Sequence, residues 1–107
     1  MSLAHRSLYV ALNGDQDIAR RDDLRNALPE PEPHDSLVID CRNVFYMDSV
    51  AMGVLVRYRG RFVEAGARAE DLMLIAPSGS SVRRLFDIAG LGRVFTILDH
   101  LPEELYN

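Results

Sequence analysis

With 107 residues, 48% of them hydrophobic and 26% charged, the chain has the size and composition of one soluble globular domain with a single modest core. A net charge of −4 argues against binding to a nucleic-acid backbone, which calls for a basic patch. No apolar run approaches the roughly 18 residues of a membrane span, no signal-peptide pattern is present, and the lone Cys41 excludes an intramolecular disulfide, so a cytoplasmic protein is expected.

The elements alternate along the chain. Leu8 to Leu12 is a short apolar run closed by Asn13-Gly14-Asp15 and reads as a strand. Asp17 to Leu28 reads as a helix with Ile18, Leu24, Ala27 and Leu28 as its apolar positions, stopped by Pro29. Pro29-Glu-Pro-Glu-Pro-His34 is expected to be an extended, exposed connector. Leu37 to Cys41 is a continuous apolar strand of the kind a parallel sheet buries on both faces, which makes Cys41 a buried thiol.

Ser49 to Ala65 is the longest predicted helix, closed by Gly66. Ala51, Leu55, Tyr58, Phe62 and Ala65 form one stripe along it, with Val54 alongside, and are assigned to the core. Met52, Val56 and Val63 share a second face beyond Arg59. That face is open to two readings, a strip for docking a partner or part of a broadly buried helix. Leu72 to Ala76 is a buried strand stopped by Pro77. Ser78-Gly79-Ser80-Ser81 is rich in cap residues and leads into a helix with Val82, Leu85, Phe86 and Ala89 on one face, ended by Gly90. Val94 to Leu98 is a last strand, and Pro102 to Tyr106 is expected to add a helical turn. Strands separated by helices imply βαβ units with right-handed crossovers. The fold class is α/β, a mostly parallel sheet of four to five strands with helices packed against it, one domain over 1–107 with its core in 8–98.

Chemistry concentrates at Asp48-Ser49, where a strand hands over to the long helix. A serine at a helix N-terminus can cap the helix, act as a nucleophile or accept a phosphate, because free amides and the helix dipole favour negative charge there. A nucleophile needs a base held by a third group, and no histidine is obviously placed for it. Asp48 or Ser49 as a simple cap remains physically sound. His5, His34 and His100 have no metal-ligand spacing with one another or with Cys41. Ser78-Gly79-Ser80 lacks the first glycine of a nucleophile elbow and reads as a cap. No P-loop or dinucleotide-binding glycine motif is present. No catalytic residue, metal or cofactor is therefore assigned.

The stretch Leu37-Val-Ile-Asp-Cys-Arg-Asn-Val-Phe-Tyr-Met-Asp-Ser-Val-Ala-Met-Gly-Val-Leu55 resembles the STAS domain of bacterial anti-sigma factor antagonists. That family carries an apolar strand ending in Asp, then an Asp-Ser-Ser/Thr-Gly-Leu-Gly segment opening a long helix. The likeness continues through Gly66, Leu72-Met-Leu-Ile-Ala-Pro77, Val82-Arg-Arg-Leu-Phe-Asp-Ile-Ala-Gly-Leu91 and Val94-Phe-Thr-Ile97. Gly14-Asp15-Gln16-Asp17 stands where the family has a Gly-Glu-Leu-Asp loop.

The resemblance implies a partner switch. Such antagonists bind an anti-sigma factor, usually a serine kinase, and so free a sigma factor. The kinase phosphorylates the serine after the Asp, here Ser49, and a serine phosphatase reverses it. Val50 follows, so the motif offers a single hydroxyl. Asp15, Asp17, Asp48, Val50, Met52, Gly53 and Val56 are the expected partner contacts. An alternative of the same fold is a scaffold or sensor module that binds a protein or small ligand without being phosphorylated. A small hydrolase using Ser49 is the remaining reading. Two departures stand out. Ala51 replaces a usual Gly, so its methyl is expected to crowd an approaching kinase. Only seven residues precede Leu8, so the family's first strand is expected to be missing or irregular, leaving a sheet edge for a partner or a homodimer.

Overall fold

The computed structural model describes residues 5–102. Its strands are β1 (Ser7–Asn13), β2 (Ser36–Asn43), β3 (Leu72–Ile75) and β4 (Thr96–Leu98), and its helices α1 (Arg21–Ala27), α2 (Ser49–Glu64) and α3 (Ser81–Ala89). The strands lie in chain order, β1-β2-β3-β4, and every neighbouring pair is parallel. Consecutive right-handed crossovers in one direction keep all the helices on one face of such a sheet.

The register defines the two faces. Leu8-Leu37-Leu72 and Val10-Ile39-Leu74-Ile97 form rows that meet the helices. There they pack with Ala51, Val54, Leu55, Tyr58 and Phe62 of α2 and with Val82 and Phe86 of α3. Tyr9-Val38-Met73-Thr96 and Ala11-Asp40-Ile75-Leu98 form the rows of the opposite face. Asp40 is nonetheless buried, because Tyr9 Oη and the guanidinium of Arg42 both donate to it. Burial pushes its pKa up, but the bonds from Arg42 and Tyr9 outweigh this and hold the carboxyl below its ordinary range.

Several expectations need correction. The helix read over Asp17–Leu28 divides into a 3-10 turn, Ile18–Arg20, and the short α1. Asp17 caps the turn by accepting from Ala19 N at 3.0 Å, and Arg20 leaves helical geometry at φ −106°, ψ 11°. Ile18 is 61% exposed, and Leu24 is the only buried residue of α1. A helix this short is marginal alone and depends on that anchor. β4 starts at Thr96 rather than Val94, because Leu91–Arg93 makes a 3-10 turn whose Leu91 carbonyl accepts from both Val94 and Phe95. β3 ends at Ile75, one residue early. Ala65 is the half-buried C-cap of α2, so its core stripe stops at Phe62. The turn expected over Pro102–Tyr106 lies outside the described residues beyond Pro102.

The Pro-rich connector is not free in solvent along its length. Pro31 is buried, and Tyr58 Oη donates to the carbonyl of Pro29 at 2.7 Å. Asp35 is fully buried, accepting from Arg6 Nε at 2.8 Å, Arg6 Nη2 at 2.7 Å and Glu32 N at 2.8 Å. The Arg6 bonds hold its carboxyl below the ordinary range against the opposing effect of burial. A depressed pKa in the folded state contributes stability above the unfolded value, about 3.9, and loses it as pH falls through the folded one. Asp35→Asn should therefore lower stability near neutrality by roughly 1–3 kcal/mol. The gap to the wild type should narrow in urea melts run progressively below about pH 4.

Candidate functional site

The site lies where β1 and β2 end and α2 begins. Asp48, in extended geometry at φ −85°, ψ 175°, is the N-cap of α2. Its Oδ1 accepts from Ala51 N at 2.8 Å, as an N-cap does with the third helical amide. Its Oδ2 accepts from Ile18 N at 3.0 Å, tying in the loop that follows β1. The two loops are stitched further by Gln16 N donating to Tyr46 O at 2.9 Å and Asp48 N donating to Gln16 O at 3.0 Å. Gln16 is buried, and its Nε2 donates to Asn13 O at 3.1 Å, closing the turn made by Gly14 at φ +78°. Met47 is buried beneath.

This assigns the two residues separate tasks. Asp48 is the cap. Ser49 is the first helical residue and is exposed. Asp17 caps its own 3-10 turn and Asp15 is exposed in the same loop. Val50 and Gly53 are half-buried, and Met52 packs partly against the core. Val56 is 41% and Val63 43% exposed, so broad burial fails as the account of the second stripe. A Cβ added at Gly53 would meet Arg57 Nη1 at 3.7 Å, an ordinary contact, so the fold does not demand glycine there. The methyl of Ala51 points into the core and is 1% exposed, which removes the expected crowding of an approaching enzyme.

Three residues of the site were not assigned from sequence. Ile18, Phe45 and Tyr46 are 61%, 69% and 47% exposed, and they flank the loops joined by Asp48. Their signal was present, since Phe45-Tyr46 interrupts a turn where polar residues are usual, but an apolar pair beside a strand reads equally well as core. Elsewhere, Ser80 Oγ caps α3 by accepting from Arg83 N at 3.2 Å, and Ser78 donates to Asp99 Oδ1 at 2.7 Å. Cys41 is buried, and desolvation with the nearby Asp40 charge pushes its thiol up to about 12. Among the described residues no three of His, Cys, Asp and Glu gather to hold a metal ion, and no helix is long and apolar enough to cross a membrane.

The model of the STAS domain matches residues 4–104. This chain belongs to the STAS-domain family. No curated protein matches it. Among solved structures, it is similar to a candidate anti-sigma factor antagonist from Thermotoga maritima, with a TM-score of 0.70 and 18% identity over 92% of this chain and 85% of that one. It is also similar to the anti-sigma factor antagonist SpoIIAA in its unphosphorylated form, with a TM-score of 0.61 and 16% identity over 99% of this chain and 91% of that one. At these identities the likeness establishes a shared α/β fold, and the described strands of this STAS domain are four and wholly parallel.

The division of labour between Asp48 and Ser49 can be tested by stability alone. Asp48→Ala removes the cap and the tie to Ile18 and should cost about 1–2 kcal/mol. Ser49→Ala should change the unfolding free energy from urea melts by less than about 0.5 kcal/mol, the usual range for an exposed surface position.

Proposed function

We propose that this STAS domain is an anti-sigma factor antagonist that binds an anti-sigma factor serine kinase and is switched off by phosphorylation of Ser49. A serine phosphatase would restore it. The observation that carries this reading is the separation of cap from hydroxyl. Asp48 caps α2 through Ala51 N, and Ser49 beside it is exposed and can be modified without unmaking that cap. Both solved structures named above are described as anti-sigma factor antagonists, one in an unphosphorylated form.

The surroundings give a phosphate something to act upon. Phosphorylation adds about −1.5 to −2 charges and three acceptor oxygens. The dipole and free amides of α2 offset that charge, while Asp48 opposes it. The fold should tolerate the group. The contact surface should not, because exposed Ile18, Phe45, Tyr46 and Val56 lie around the same loops and helix start. A partner covering them together with Ser49 would have to strip water from a dianion. Asp15, Asp17, Asp48, Val50, Met52, Gly53 and Val56 are the proposed contacts, joined by Ile18, Phe45 and Tyr46.

Incubation with ATP and the anti-sigma-type kinases of the source organism should add one phosphate by intact mass, and none to Ser49→Ala. Absence of modification by every such kinase would favour the scaffold or sensor alternative. Ser49→Asp should lose about 100-fold in kinase affinity, equivalent to about 2.7 kcal/mol, with an unchanged melting temperature. Full retained affinity would reject the switch. Phe45→Ala should weaken binding with little effect on stability, since its side chain is mostly in solvent.

A further inference from the structure

Among the described residues β1 is an edge strand, paired to β2 alone. Edge strands are usually blunted by charge, by proline or by a covering segment, because their free amides and carbonyls invite pairing. β1 carries neither charge nor proline from Ser7 to Asn13. The direction of its free groups follows from one bond. Ser36 N donates to Arg6 O at 2.8 Å, so Arg6 turns its backbone toward β2. Alternation then turns Leu8 and Val10 inward and leaves the amides and carbonyls of Ser7, Tyr9 and Ala11 directed outward.

We propose that β1 pairs antiparallel with β1 of a second copy of this chain, about a two-fold axis through Val10, joining the two sheets into one. The strand is self-complementary in that register. Val10 is its midpoint, so every residue from Ser7 to Asn13 gains a partner. Tyr9 of one copy meets Ala11 of the other, and both belong to the outward set, so each such pair exchanges its N–H and C=O bonds in both directions. A one-residue slip would set outward groups against inward ones. The ends also fit: exposed His5 of one copy comes opposite exposed Asp15 of the other, while Arg6 stays bound to Asp35 and Glu32 of its own chain. Tyr9 reaches over its own sheet to Asp40, so its ring leans away from the seam and leaves room for the small Ala11 of the mate opposite it. Opposed strand directions place the two Ser49 sites at opposite ends of the joined sheet, so each stays open. The inference does not depend on Ser49 being phosphorylated.

Sedimentation of the full chain should show, with rising concentration, a species of twice the 12.0 kDa chain mass. Ala11→Pro removes an outward amide and leaves the ladder to β2 in place, so it should keep its circular dichroism spectrum and sediment as a monomer. Val10→Cys should cross-link into a disulfide dimer under mild oxidation. The two-fold pair is of the non-hydrogen-bonded kind, with Cα atoms about 4.5 Å apart, within reach of a disulfide. Buried Cys41 does not compete. A chain that stays monomeric at every concentration overturns the proposal, and so does a dimer that a folded Ala11→Pro leaves intact. If Ala11→Pro fails to fold, the cross-link decides alone: no disulfide dimer from Val10→Cys rejects the pairing.

Discussion

One carboxylate organises the functional end of this domain. Asp48 divides its two oxygens between Ala51 N, on its own helix, and Ile18 N, thirty positions away in sequence. The first bond starts α2 where it does. The second holds the loop after β1 against that start. Gln16 completes the joint through backbone bonds to Tyr46 and Asp48 on either side of buried Met47. The carboxylate and these backbone bonds together give the exposed residues of two separate loops a common frame.

That frame separates what is structural from what is available. Both oxygens of Asp48 are engaged by backbone amides. Ser49, one residue on, is exposed at the positive end of a helix whose cap is already supplied. A change of charge at Ser49 therefore reaches the surface around it more readily than the core. The contrast with Cys41 is instructive. It is also a potential nucleophile near the end of β2, yet burial holds its thiol in the neutral form, so it stays inert.

The rest of the chain supports this end from a distance. The parallel rows of Leu, Ile and Val on β1 to β4 bury one face beneath three helices, and the Arg6–Asp35 pair fastens the start of β1 to the connector before β2. The opposite face carries Asp40 in the middle of the sheet, tolerated because Tyr9 and Arg42 satisfy it from both sides. At the edge of the same sheet, β1 presents uncharged backbone to solvent. β2 and β3 are paired on both sides, whereas β1 among the described residues is paired on one.

Sequence alone determined the element order, the parallel character of the sheet and the core stripe of α2 as far as Phe62, and it singled out Asp48-Ser49 at the head of that helix. Each of these rests on local pattern: apolar runs bounded by turn residues, period along a helix, and cap residues at a strand-to-helix junction. Tertiary structure decided what depends on residues far apart. Whether Asp48 or Ser49 caps α2 was open in sequence; in the fold Asp48 takes Ala51 N with one oxygen and, thirty positions away, Ile18 N with the other. Whether Ile18 is core or surface was settled by the 3-10 turn that Asp17 caps, which rotates it into solvent. Ala51 belonged in sequence both to the core stripe and to the segment around the serine, and its burial assigns it to the core. Local pattern offered these residues, and the role of each was set by the bonds and packing it makes: the local caps of Asp17 and Asp48, the distant tie of Asp48 to Ile18, and the burial of Ala51.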